Sequence, residues 1–375
     1  MHATPRLIIG SALLTVGAVA CATGGPVASA TTGTTPIVFT STKNSPAVHA
    51  PALSPPATLV APGVSLLPAP KGPFSVGVVN LALPNAIAFY PAKVNTGTGR
   101  HRYVEAKLLT ELRLPIKMFS TLTTTSRVGA TPLPTKSPRP VVVLAPGFGS
   151  MVALSTSLAE HLASNGYVVV AVQTDVAAEA ADMMPNDTHG AARMAQIAAS
   201  LNTIRSPAFA RLVGPVDQHR IAVGGHSYAG SIAFNISLHD HRVAAVFDLD
   251  GRLFGEAAST PTKVPSLVVT STGSGEADDR QLHEMVRTGT KTVAVGLIGA
   301  KHFDLTDAAA IGELLRSAGY PLDLGTIGAV ATSDTSAIVQ RFLDAVLGDQ
   351  THLPTAAALL DGLPATTDHA FANGS

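Results

Sequence analysis

The sequence predicts one α/β domain, a mostly parallel sheet with helices on both faces. Three observations carry that expectation. From Pro140 onward, short apolar runs alternate with helix-length segments. The run Val141-Val142-Val143-Leu144 has no polar alternation, the pattern of a strand buried on both faces. Of the 375 residues, 46% are hydrophobic and only 13% charged, which allows a sizeable core and argues against a disordered chain.

The elements follow in order. After the Val141 strand, Ser157 to Ser164 reads as helix and Tyr167 to Val172 as the next strand. Ala191 to Leu201 is helical, Ile221 to Val223 a strand, and Ala229 to Leu238 helical again. Val243 to Leu249, Ser266 to Val269 and Thr292 to Ile298 supply three further strands, and Gln281 to Arg287 and Thr335 to Leu347 two helices. Residues 74–138 are less regular, with Ala86 to Tyr90 expected as a strand of an antiparallel N-terminal edge.

The ends read differently. Arg6 precedes an apolar run from Leu7 to Ala20, too short to span a bilayer and shaped like an export signal over residues 1–30. Two endings compete: Ala28-Ser29-Ala30 as a signal-peptidase site, or Ala18-Val19-Ala20-Cys21 as a lipobox that would lipidate Cys21 and anchor the protein to a membrane. The single cysteine of the chain standing at that spot favours the anchor; Ala18, where a lipobox usually has Leu, speaks against it. On either ending the protein is expected to be exported. Residues 31–73, rich in Thr, Pro, Ala and Ser, read as an extended tether. A catalytic domain is expected over 74–350 and a tail over 351–375, with His352 to Ser375 lying over the surface.

Twenty-five basic and 25 acidic residues cancel, leaving no surplus to neutralise phosphates, so nucleic acid is not an expected partner. One cysteine excludes an intramolecular disulfide framework and cysteine-ligated clusters. Gly147-Phe148-Gly149 lacks the third glycine of a dinucleotide site, and no P-loop, His-Glu-x-x-His or EF-hand pattern occurs. No metal or cofactor is called for.

The chemistry concentrates in Arg220 to Ile232, RIAVGGHSYAGSI. An apolar strand runs straight into Gly225-His226-Ser227-Tyr228-Ala229-Gly230 and then into a helix. So tight a turn demands small neighbours and lifts the Ser227 hydroxyl to the carboxyl end of the sheet, as in a nucleophile elbow. The bland alternative is a turn whose serine merely caps the helix. A serine needs a base, and the base an orienting acid. Asp250, at the end of the Val243 strand and just before Gly251, is the better-placed acid. Asp248 is its rival, deeper in the apolar run, where a buried structural carboxylate would also sit. His302, past the Thr292 strand, alone among the histidines has the required topology. His226 is expected to point away from the serine and pack, while His161, His239, His241 and His283 read as ordinary surface histidines. Oxyanion donors would be the backbone N–H groups of Tyr228 and of Phe148 in the loop after the first core strand.

Gly225-His226-Ser227-Tyr228-Ala229-Gly230, Leu249-Asp250 and Gly299-Ala300-Lys301-His302 together resemble the plasma-type platelet-activating factor acetylhydrolases and their bacterial relatives. Phe89-Tyr90-Pro91 and Pro140 to Gly149 stand in that family's order. The resemblance spans about Phe74 to Gly348 and implies an α/β-hydrolase fold, a Ser227–His302–Asp250 triad, an oxyanion hole of the Phe148 and Tyr228 amides, and a small-molecule or lipid ester of modest acyl length as substrate. Ala229 departs from the family's elbow glycine, and Asp248 adds a second carboxylate. The broader motif is shared by lipases and polyester hydrolases, which stand as alternatives, as does a surface-anchored binding protein that has kept the fold and lost the chemistry. A peptidase ranks lower, because no upstream domain of many short strands gates the site. Residues 176–190, with Met183, Met184 and Pro185, and residues 303–333 are candidates to border an acyl pocket, with ordinary helix–loop packing as the alternative for both.

Overall fold

A computed structural model of the chain describes residues 66–371, apart from 84, 112–114, 116–118, 121, 181, 183, 272–290, 318, 320–321, 349–350 and 365–369. The export signal, Cys21, most of the tether, Met183 and the expected helix Gln281 to Arg287 lie outside the described residues. Strands β1 (Ser75–Asn80), β2 (Ala86–Ala92), β3 (Arg100–Arg102) and β4 (Thr123–Val128) precede the alternating region, with helix α1 (Ala106–Glu111) among them. Then come β5 (Arg139–Ala145), α2 (Thr156–Ser164), β6 (Val168–Val172), α3 (Val176–Ala180), α4 (Asp187–Ile204), α5 (Pro207–Val213), β7 (Val216–His226) and α6 (Tyr228–His239). The rest are β8 (Ala245–Leu249), β9 (Ser266–Ser271), β10 (Thr292–Leu297), α7 (Gly312–Ser317), α8 (Ala329–Leu347), α9 (Ala356–Leu360) and β11 (Ala370–Phe371).

All the strands form one sheet, in the order β11-β10-β9-β8-β7-β5-β6-β2-β1-β4-β3. Strands β10, β9, β8, β7, β5 and β6 run parallel, while β2 is antiparallel to both β6 and β1. The mostly parallel sheet and its antiparallel N-terminal side are as the sequence predicts.

The unbroken apolar run of β5 has a simple cause. Val142 and Leu144 belong to the core on one face, with Leu158 and Leu162 of α2 and Phe342 of α8. Val141 and Val143 belong to the core on the other, with Ile197 and Leu201 of α4 and Ile232 of α6. All four are completely buried, each contributing about 1.5–3 kcal/mol.

Two expectations about the ends need correction. The far end is not only surface: Ala356 and Leu359 of α9 are buried in the main core, and β11 adds to the edge of β10. Nor is the tether loose to residue 73. Leu67 is buried, and Gly72 and Phe74 donate their amides to Ser164 at the end of α2. Among the described residues no helix is long and apolar enough to cross a membrane.

Candidate active site

Parallel strands deliver their carboxyl ends to one edge of the sheet, where ligands of such folds bind. Strands β5, β7 and β8 bring Phe148, Ser227 and Asp250 there, and the turn after β10 brings His302. Ser227 stands between β7 and α6 with φ 57° and ψ −127°, a backbone conformation that L-residues rarely adopt. It occupies the N-cap position of α6, yet its side chain makes no capping hydrogen bond. The helix-cap alternative therefore does not account for this serine. Its amide is tied to the Leu249 carbonyl at 2.8 Å, which locks the elbow to the end of β8. Ala229 is accommodated because its neighbour is Gly225: a Cβ at 225 would lie 2.8 Å from that of Ala229 and 2.1 Å from the Ala145 carbonyl oxygen.

The two carboxylates of β8 part company at the strand end. Asp250 has φ 59°, in the left-handed region, which turns it out of the strand's alternation. Its Oδ2 accepts from His302 Nδ1 at 2.8 Å, and Ser271 adds its amide to Oδ1 at 2.6 Å and its hydroxyl to Oδ2 at 2.9 Å. Burial alone would raise the Asp250 pKa. The hydrogen bond and charge of His302, with the Ser271 bonds, outweigh it and hold the carboxyl below its usual range. Asp248 stays inside, 1% exposed; among the described residues its Oδ1 accepts the Gly251 amide alone and its Oδ2 has no partner. Burial, then the charge of Asp250, push the Asp248 pKa well above the usual carboxylate range. Of the two, Asp250 is the one bonded to His302.

With Nδ1–H donating to Asp250, the Nε2 lone pair of His302 is left to act as base. The imidazole sits on a 3₁₀ turn, His302–Leu305, whose start is fixed by Asp304, which accepts the amides of Lys301 at 2.8 Å and Gly325 at 2.6 Å. No hydrogen bond joins Ser227 Oγ to His302 among the described residues; such pairs are often loose before substrate is bound. His226 does turn from the serine and pack, but against His302. Its Nε2 donates to the His302 carbonyl at 2.8 Å, which fixes its tautomer, and burial holds its pKa far below the ordinary histidine value.

The expected oxyanion donors lie beside the serine. A Cβ on Gly147 would stand 3.2 Å from Ser227 Cβ, so the loop carrying Phe148 rests directly on the elbow. The amides of Phe148 and Tyr228 have no acceptor among the described residues. Their rings meet edge to face, centroids 5.9 Å apart.

Sequence reasoning missed Arg193 and Glu179, a fully buried ion pair whose hydrogen bonds reach this loop. A signal was present: Arg193 falls in line with Ile197, Leu201 and Ile204, a charge on the apolar stripe of its helix. The other histidines divide. His239 pairs with Glu256 at the surface and His241 is exposed, as expected, but His161 is buried in α2; His283 lies outside the described residues. Of the segments that could border an acyl pocket, Val176 lines a cavity of about 410 Å³, with Val152, Gln173, Phe89 and His101; Ser227, Asp250 and His302 do not line it.

The solved ferulic acid esterase from Streptomyces cinnamoneus superposes on this chain with a TM-score of 0.61 at 24% identity, over 80% of this chain and 97% of that one. The chain has the α/β-hydrolase fold. A family model described as PETase, PET hydrolase-like, matches residues 125–280 of this chain, from β4 past β9 and so across Ser227 and Asp250. No curated protein matches it.

Proposed function

We propose that this α/β-hydrolase is a serine carboxylic-ester hydrolase with Ser227 as nucleophile, His302 as base and Asp250 as orienting acid. The observation that carries the reading is the 2.8 Å bond from His302 Nδ1 to Asp250, beside a serine in a strained turn with its hydroxyl uncommitted to capping. Ser227 attacks the ester carbonyl as His302 Nε2 takes its proton, and the Phe148 and Tyr228 amides receive the oxyanion. The alkoxide leaves with the proton from His302. Water then resolves the acyl-enzyme by the same route. The fold and the PET hydrolase-like match support the ester-hydrolase reading.

Two substrate classes remain within it. The order of motifs supports a short-acyl or phospholipid ester, as in platelet-activating factor acetylhydrolases. The PET hydrolase-like match favours an aromatic or aliphatic polyester. Export through residues 1–30, with a lipid anchor at Cys21, belongs to the same proposal and is supported by the sequence pattern alone.

The test is fluorophosphonate labelling read by intact mass and peptide mapping. One adduct on Ser227, absent in His302→Ala, is expected; folded protein that takes no adduct would leave the binding-protein reading standing. Rates on p-nitrophenyl butyrate, a terephthalate oligoester and a short-acyl phospholipid then separate the classes.

A further inference from the structure

The buried pair Arg193–Glu179 holds the oxyanion loop from behind. Nη2 of Arg193 lies 2.6 Å from Glu179 Oε2 and Nε 2.7 Å from Oε1, with the side chains only 3% and 5% exposed. Burying two charges costs enough that such pairs often add nothing to stability. What this pair does instead is visible in its remaining bonds. Arg193 donates to the Pro146 carbonyl at 2.6 Å and to the Gly147 carbonyl at 2.9 Å. Glu179 Oε2 accepts the Gly149 amide at 2.8 Å. The Arg193 guanidinium also lies 5.2 Å from the centre of the Tyr228 ring.

The peptide units on both sides of Phe148 are therefore held. The Gly147 carbonyl and the Phe148 N–H belong to one trans peptide and point in opposite directions. A cation bonded to that oxygen turns the N–H away from Arg193. It also polarises the group and makes the N–H a stronger donor. On the far side of Phe148, Glu179 fixes the next N–H so that it cannot compete for the oxyanion. We infer that Arg193 and Glu179 are positioning residues that orient and polarise the Phe148 amide for the developing oxyanion. The inference rests on the hydrolase reading and extends it to two residues that touch no substrate.

The test compares the parent with Arg193→Met/Glu179→Leu, which removes both charges together and leaves neither buried alone. With p-nitrophenyl butyrate, kcat should fall about 10- to 100-fold, less than the roughly 100- to 1000-fold that follows outright loss of one oxyanion donor because the amide is kept but no longer held, while KM stays within about threefold. The rate of Ser227 inactivation by a fluorophosphonate, which forms a tetrahedral oxyanion-like adduct, should fall by the same factor, and the midpoint of thermal unfolding should stay near the parent's. A folded double variant with kcat within threefold of the parent overturns the inference, as does a loss confined to KM. If the double variant does not fold, Arg193→Lys takes its place, keeping the cation opposite Glu179 but losing the forked contact to the two carbonyls. A selective loss of kcat supports the inference and an unchanged kcat overturns it. A parent that hydrolyses no ester and takes no adduct on Ser227 overturns the hydrolase reading itself, an outcome separate from an active parent with an indifferent variant.

Discussion

The imidazoles of His226 and His302 lie 4.4 Å apart between centroids, tilted by 47°, and the first ring's Nε2 donates to the second residue's own carbonyl at 2.8 Å. The proposed base is thus held from two sides, by Asp250 at its ring and by His226 at its backbone. His226→Phe keeps the ring contact and loses the donor. We expect kcat/KM on p-nitrophenyl butyrate to drop about 10- to 100-fold, because small displacements of a catalytic group are that costly. A variant within twofold of the parent would show that the turn bearing His302 needs no such tie.

The neighbouring carboxylates should separate cleanly. Asp250→Asn replaces the carboxylate by an amide whose NH2 can face His302 Nδ1 and favour the wrong tautomer, and is expected to lower kcat by about 10⁴-fold. Asp248 accepts from the Gly251 amide and makes no hydrogen bond to His302 among the described residues, so Asp248→Asn should change kcat by no more than about threefold. Steady-state rates with both folded variants decide it, and the reverse ranking would move the acid to Asp248.

A pH dependence of stability follows from Asp307. Its carboxylate accepts the Ser157 amide at the start of α2, and burial raises its pKa to about 7. In the unfolded chain it releases its proton near 3.8. Between those values the folded state holds a proton that the unfolded state has lost, so this group's contribution to stability declines as pH rises through that window. Asp307→Asn keeps an acceptor and cannot ionise. Relative to the parent it should gain stability from pH 4 to pH 8, on the order of 4 kcal/mol at most. Urea unfolding of both proteins at the two pH values checks this; parallel curves would refute it.

Glu160 of α2 anchors β4. It accepts the Thr125 amide and hydroxyl at 3.2 and 2.6 Å and the Ser126 amide at 2.6 Å, and is itself 1% exposed. Glu160→Ala strands those donors and should destabilise the fold by about 3 kcal/mol in urea titration.

That strand also shows where the sequence was legible and where it was not. The central strands announce themselves because both their faces are apolar, and Ser227, Asp250 and His302 each stand where such a strand gives way to loop. Strand β4, Thr123-Thr124-Thr125-Ser126-Arg127-Val128, has no apolar period. Its inward residues Thr124 and Ser126 bond to each other, and its backbone is held by a carboxylate from another element, a match that no local pattern encodes. Helix α8 starts six residues before the expected Thr335, because buried Thr332 bonds to the carbonyls of Asp304 and Thr306 and reads as polar in isolation. Arg193 and Glu179 act through main-chain atoms of a third segment, so only the charge on an apolar stripe hinted at them.

Among the described residues, four that are not glycine have positive φ, and two of them are Ser227 and Asp250. Each such conformation costs on the order of 1–3 kcal/mol. Glycine would relieve that strain at either position and would delete the very side chain the proposed reaction needs. Selection for a hardier descendant, in nature or in a directed-evolution campaign, therefore finds these two positions closed to it, and added robustness has to arise away from the strand ends.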